Sequence, residues 1–281
     1  MISRHRLGLG LSRTAVYAVF TFFAMLAVVP IYLMLINATR STEAIQQGLS
    51  LLPGNQIAHN WKALTNRGFN ITRGFFNSAF IALATTAVAV YFSAMTAYGL
   101  HVFQFRGKKV LWSVILVVIM VPPQLGLIGF YRMMAQLKLL DSFVPLILPA
   151  MASPATVLFI RQYLKSVLSL ELVEAARMDG ASEFRIFNTI VTPVIAPAMA
   201  TMAIFSFVGS WNNFITPYIL LSDKDKYTLP MLVQLLRTDI YRTEYGGIYL
   251  GIAVSIVPIL VFYAFMSRHI IAGITIGGVK E

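Results

Sequence analysis

Between Ser169 and Pro193 a charged stretch interrupts long apolar runs. Glu171, Glu174, Arg177, Asp179, Glu183 and Arg185 lie in ELVEAARMDGASEFRIFNTIVTP, residues 171–193, with apolar runs on both sides. The chemistry on offer there is recognition. Ser169 suits a helix N-cap, and Glu171 then falls in the first turn, where a carboxylate complements the helix dipole. Leu172, Ala175, Ala176 and Met178 give the helix a small, smooth apolar face, and Asp179-Gly180 is a stop signal. Ser182 starts a second short helix toward Pro193. Two alanines on one face let a partner's backbone approach closely, so this helix–turn–helix reads as a surface for another protein to grip. An amphipathic loop helix lying on a membrane surface has the same composition.

A second cluster offers different chemistry. Ser210, Trp211, Asn212, Asn213 and Thr216 follow one another in GSWNNFITP. Amides donate and accept to hydroxyls, and an indole stacks on a sugar face, so the cluster fits a carbohydrate path. Polar packing between helices uses the same residue types. Asn77, at the start of an apolar run that also carries Thr85, Thr86 and Ser93, is a further candidate for a pathway, although such hydroxyls often bond to their own backbone. So is Gln124, beside Pro122-Pro123, where two prolines free backbone groups.

The elements that position these residues follow from composition. Of 281 residues, 58% are hydrophobic and 12% charged, against about 25% charged in soluble domains, and the mean hydropathy is +0.74. This is an integral membrane protein. There is no cysteine, the four histidines are scattered, and no Ser-His-Asp set or metal constellation occurs, so catalysis by this chain is unsupported. The net charge of +11 sits beside apolar runs. It therefore points to anionic lipid headgroups of the bilayer rather than to nucleic acid.

Charged residues bound six uncharged runs that meet the roughly 20-residue requirement for a spanning helix: about 14–36, 74–100, 110–132, 142–162, 193–221 and 247–267. The fifth is expected to begin near Pro193. Pro145, Pro149 and Pro154 make the fourth irregular. The first run is long for a signal-peptide core and lacks a small-residue cleavage site, so an uncleaved helix is expected. Six spans put both termini on one side. The N-terminal tail and the turn at 106–109 are basic and free of acids, which places them, the termini and the charged stretch in the cytoplasm. The ladder Gly247-x-x-x-Gly251-x-x-x-Ser255 suits close helix packing.

Several of these features resemble one family. Glu174-Ala175-Ala176, Gly180, Ile190 and Pro193 have the spacing of the EAA loop of ABC importer permeases, with Thr192 where the family usually has Leu. AYGLHVFQFRGKK (97–109), the Trp211-Asn212-x-Phe214-x-x-Pro217 run and the tail RHIIAGITIGGVKE (268–281) resemble carbohydrate permeases of the maltose-transporter type. The resemblance implies an all-α type I permease fold with six transmembrane helices in a prokaryotic plasma membrane. It implies a tail, first helix and external segment over 1–72, and a permease core over 73–281 with the coupling loop at 169–192. Glu174, Ala175, Ala176, Asp179, Gly180 and Ala181 would meet a separate ATPase, which holds ATP and Mg, and Gly277, Gly278, Val279 and Lys280 would touch it too. Tyr227, Tyr241 and Tyr245, in the last external loop, would meet a solute-binding protein. A second permease subunit, with which this chain would form a heterodimer, completes the assembly.

The residues themselves sharpen this reading. Gly107-Lys108-Lys109 lacks the rest of a P-loop, so this chain does not bind ATP that way. The uncharged runs hold no ionisable relay, which argues against ion-coupled transport and suits a neutral sugar or oligosaccharide. A glycerol-phosphate importer would call for a basic pathway residue. A self-contained channel or facilitator, its charged loop merely surface-bound, is the competing class.

Overall fold

The computed structural model describes residues 2–65, 70–238 and 243–277, with side chains described for 15–65, 70–237 and 243–267. Every regular element among them is a helix. Four helical stretches are each long and apolar enough to cross a membrane: Ala15–Asn37, Ile71–Val102, Val144–Val167 and Tyr245–Ser267. Two further crossings are bent pairs, Lys108–Met120 with Pro123–Gln136 and Glu183–Val194 with Ala196–Trp211. Counting each pair once gives the six expected.

Prolines decide where helices break. α1 (Ile2–Asn37), α2 (Thr42–Gln46) and α3 (Ile57–Thr65) precede α4 (Ile71–Val102), whose N-cap Asn70 accepts the Arg73 N–H at 2.9 Å. The 32 residues of α4 extend about 48 Å, more than the ~30 Å hydrocarbon core. α5 (Lys108–Met120) stops at Val121 because the residue before a proline is pushed out of helical backbone. A short 3-10 turn at Pro123–Gly126 follows, then α6 (Leu127–Gln136), turned by 94°. The third span, 110–132, is therefore broken at Pro122-Pro123, as its two prolines lead one to expect. In the fourth, α7 (Val144–Ile147), a 3-10 turn at Leu148–Met151 and α8 (Pro154–Val167) each carry a proline within their first two residues, where no backbone N–H is needed.

The fifth span departs most from expectation. α9 (Leu170–Met178) and α10 (Glu183–Ile186) lead into a π-helical turn, Phe187–Val191, and then α11 (Thr192–Val194). The chain bends by 82° at Ile195 before α12 (Ala196–Trp211). Pro193 thus lies in the helix before the bend and does not start the span; Pro197, in the first turn of α12, does. α12 ends at Trp211, and α13 (Ile215–Leu220) follows after a break. α14 (Leu229–Thr238) and α15 (Tyr245–Gly277) complete the chain.

The chain divides into two compact units. One comprises residues 69–232 and 255–281. In it α4 packs against α8 and α12, and α5 against α8. Its core joins Ala94, Ala97 and Leu100 of α4, Ile160 and Leu164 of α8, Val173 of α9, and Ile186, Val191 and Ile195. The other comprises residues 1–68 and 233–254. Its centre is Asn60, which is buried and donates from Nδ2 to the carbonyls of Ala38 (2.8 Å) and Arg40 (3.0 Å). In the same unit Gly251 fits against Val233 and Leu64, as its place in the small-residue ladder leads one to expect. A Cβ on Gly246 would lie 2.4 Å from Asn60 Oδ1 and 2.5 Å from the Arg40 carbonyl. Gly246→Val should therefore destabilise by about 1–3 kcal/mol, read as a lower melting temperature in detergent. An unchanged melt would contradict this packing.

Candidate functional site

The charged loop is a pair of capped helices around one left-handed glycine. Ser169 Oγ accepts the Glu171 N–H at 3.1 Å, and Ser182 Oγ accepts the Arg185 N–H at 3.4 Å. Gly180 has φ +79, and no atom lies within 4 Å of a Cβ built there. The turn therefore needs glycine for its backbone, not for space. Inside the turn, the N–H groups of Gly180 and Ala181 return to the carbonyls of Arg177 and Ala176, both at 3.0 Å.

A side-chain network fixes this loop to the end of α4. Glu183 Oε1 pairs with Arg177 Nε at 2.5 Å, and Glu183 Oε2 accepts from the Tyr98 hydroxyl at 2.8 Å. The Arg177 guanidinium also lies 5.4 Å from the centre of the Phe103 ring. Beneath these contacts Val173 and Ala176 enter the core. The expected alanine face is thereby corrected: Ala176 points into its own molecule, because the helix must bury one face to be held. Leu172, Ala175 and Met178 share the opposite, exposed face, and Met178 is 88% exposed. Glu174 and Asp179 are exposed and Ala181 half-buried beside the same turn. Among the described residues no hydrogen bond of the Glu174 side chain is seen; the carboxylate that holds the loop is Glu183. No role for Glu183 was read from the sequence; its charge opposite to Arg177 across a Gly turn is the signal that could find it, while Tyr98, at the end of a distant helix, leaves none. Thr192, in place of the usual Leu, donates to the Phe187 carbonyl at 2.9 Å within the π-helical turn.

The polar-aromatic cluster separates into two sets. Trp211 is 1% exposed, donates from Nε1 to the Ser255 carbonyl at 2.9 Å, and packs against Phe207 and Phe75. It joins helices and is not open to stack on a sugar. Asn212 and Asn213 are exposed, and Ser210 and Thr216 are half-buried. Asn213 Oδ1 accepts the Thr216 N–H at 3.3 Å, capping α13. Gln124 is exposed in the 3-10 turn between α5 and α6.

Asn77 is also redirected. Its Nδ2 donates to the carbonyls of Asp225 (2.9 Å) and Tyr227 (3.0 Å), so it clamps a loop instead of facing a path. Ser78 Oγ accepts the Leu229 N–H at 2.8 Å, and Arg73 pairs with Asp225 at 2.8 Å. From the other side Asp141 Oδ1 accepts the N–H groups of Ser222 (3.1 Å) and Asp223 (3.0 Å). Lys226 Nζ donates to the Asp141 carbonyl at 2.8 Å. Tyr227 is half-buried in this loop, its hydroxyl 3.4 Å from the Ser222 carbonyl, while Tyr245 is exposed at the start of α15. Tyr241, Gly278, Val279 and Lys280 lie outside the described residues; Gly277 is the last residue of α15.

Residues 102–275 match the family described as binding-protein-dependent transport system inner membrane component. The chain belongs to that family and is a permease component of a binding-protein-dependent ABC importer, not an enzyme. It is 34% identical to the arabinooligosaccharides transport system permease protein AraQ of Bacillus subtilis over 99% of both chains. It is 28% identical to the sn-glycerol-3-phosphate transport system permease protein UgpE of Salmonella typhimurium, over 87% of this chain and 89% of that one. The fold matches the crystal structure of a bacterial ABC transporter involved in import of the acidic polysaccharide alginate, with a TM-score of 0.78, 22% identity, and 91% and 95% of the two chains covered.

Two outcomes follow from this geometry. Tyr98→Phe removes one hydrogen bond to Glu183, about 1 kcal/mol, so amide exchange across 170–181 should rise roughly fivefold with the fold intact. Unchanged exchange would remove Tyr98 from the brace. The N–H of Asp223 foremost, then that of Ser222 and the charge of Lys226, hold the Asp141 carboxyl below its ordinary value of 3.8. A depressed acid stabilises above its unfolded value, and that stability is lost as pH falls through the lower folded value. Protection of the 222–227 amides should therefore fall on acidification below that ordinary value. Asp141→Asn should be looser at neutral pH and lack this acid step.

Proposed function

We propose that this chain is one of two permease subunits of an importer for a neutral sugar or oligosaccharide, driven by a separate ATPase that holds ATP and Mg. One observation carries the coupling assignment: the exposed Leu172–Ala175–Met178 face of α9, with Phe184 64% exposed beyond the Gly180 turn. An apolar face ringed by Glu171, Glu174 and Arg177 and held from behind by Val173 and Ala176 suits a groove in a soluble subunit. Because the helix is fixed to α4 and α8 through the core, force on it moves the spans as bodies, and access switches by rigid rocking. Both termini lie with α9 in the cytoplasm. Ala175 supplies the close approach, Gly180 the turn, and Glu174, Asp179 and Ala181 the rim. The tail from Gly277 through Lys280 reaches the same ATPase.

On the opposite side the loop braced by Asp141, Asn77 and Arg73, with Tyr227, and Tyr241 and Tyr245 beyond it, meets the binding protein. Asn212, Asn213, Ser210, Thr216 and Gln124 remain the pathway candidates, and Trp211 supports them from behind. Between their bounding charges, Arg132 and Arg161 among them, the apolar runs contain no basic residue to receive a phosphate midway, which favours a neutral solute such as the one named for AraQ over the one named for UgpE.

The test is purification of the tagged chain from native membranes, with its companions identified and ATPase activity measured with binding protein and candidate sugars. A second permease, an ATPase and sugar-stimulated hydrolysis are expected. Met178→Glu and Gly180→Val should each insert normally but cut uptake at least tenfold. Normal uptake in both, or a lone chain without an ATPase, would overturn the coupling assignment. Stimulation by glycerol phosphate alone would overturn the solute class.

A further inference from the structure

Three adjoining recesses lie where α4 ends, α5 begins and α8 passes. The central one, about 430 Å³, is lined by Gln104, Phe105, Lys108, Lys109, Trp112 and Arg161. It shares Lys109 and Val110 with an apolar groove of about 380 Å³ that runs along α5 past Val114 and Val118. It shares Gln104 and Phe105 with a second apolar groove of about 470 Å³, bordered by Gly99, Phe103 and Leu111.

The central recess is cationic without a counter-charge. Among the described residues no carboxylate pairs with Lys108, Lys109 or Arg161. Lys108 Nζ donates to the Phe103 carbonyl at 2.7 Å, and the Arg161 guanidinium lies 4.0 Å above the Trp112 ring. Held this way, the cations stay near one another despite their repulsion, and Trp112 is an aromatic of the kind that anchors at the headgroup level.

We propose that these recesses bind one anionic diacyl phospholipid. Its phosphate sits among Lys108, Lys109 and Arg161, and one acyl chain follows each flanking groove. The argument is complementarity of charge and shape together. Basic recesses at the cytoplasmic ends of spanning helices attract anionic headgroups, and the two grooves lead from that recess along surface that only hydrocarbon covers well. A free anion would fill the centre and leave both grooves bare. Arg161 lies in α8, which leads directly to Ser169 and the docking helix, so the headgroup braces the segment that carries the coupling face.

The test is native mass spectrometry of the assembled importer in mild detergent, titrated with phosphatidylglycerol or phosphatidylethanolamine of matched chains. Tight retention of phosphatidylglycerol is expected. Lys109→Gln/Arg161→Gln should weaken it about fivefold per charge removed, the factor that corresponds to ~1 kcal/mol per basic residue. Lys109→Gln alone, at an exposed position, serves if the double variant fails to assemble. A Cβ on Gly99 meets nothing within 4 Å, so Gly99→Phe fills one acyl groove without touching the cations and should also weaken retention. Equal retention of the two lipids, or retention unchanged by removing the charges, would overturn the site. Competition by inorganic phosphate, with no effect of Gly99→Phe, would assign the recess to a free anion and overturn the lipid.

Discussion

A backbone inside hydrocarbon has to pair its own N–H and C=O groups, since no water is there to do so. This chain meets that constraint while carrying twelve prolines, many of them inside apolar runs, and most of its architecture follows from how the freed groups are satisfied. Helices break at Pro122-Pro123, between Pro145 and Pro154, and around Pro193 and Pro197. Side chains on neighbouring helices then donate into the broken regions. The Thr85 hydroxyl donates to the Leu146 carbonyl at 3.3 Å beside Pro145 and Pro149, and Ser93 to the Ser153 carbonyl at 3.4 Å beside Pro154. Trp211 likewise joins two helices by donating to the Ser255 carbonyl of α15. Hydroxyls that look like a pathway in the sequence here tie α4 to the proline-broken fourth segment. Thr86, which donates to its own Ala82 carbonyl at 2.7 Å, behaves as an ordinary membrane-helix threonine.

The same economy of polar contacts explains how the charged loop is held. It is short, lies outside the spans, and would be free to sway if only its caps held it. Val173 and Ala176 below, and the Tyr98–Glu183–Arg177 network at the side, couple it to α4. The loop therefore has an inner face chosen by its own core and an outer face left exposed. An amphipathic helix adsorbed on lipid needs only one apolar face; α9 has two. The opposite end follows a parallel logic, with Asn77, Ser78, Arg73 and Asp141 holding the backbone of residues 222–229 in place from two sides.

Much of this was legible in the sequence because it depends on local rules. Uncharged run lengths mark the crossings, Ser169 and Ser182 mark helix starts, Gly180 marks a left-handed turn, and the EAA spacing carries the family. These signals act over a few residues, and tertiary context does not reverse them. The small-residue ladder from Gly247 was legible for the same reason, since only small residues let two helices approach.

What only the tertiary structure decided is which way each polar or small side chain faces. Ala175 and Ala176 are neighbours of equal size, but helical rotation sends one to the surface and the other to the core. Trp211 and Asn77 have the right chemistry for a sugar, but long-range packing against Ser255 and the loop at 225–227 uses their donors first. Pro193 has the signature of a helix start, yet the core around Val191 and Ile195 lets the upstream helix run through it and places the bend at Ile195. The sequence determined the class, the number of crossings and the place of the charged helix–turn–helix, because those follow from composition and local backbone chemistry. The use of each functional group was settled by contacts between residues up to about 150 positions apart, such as Asn77 with Tyr227, which no local pattern records.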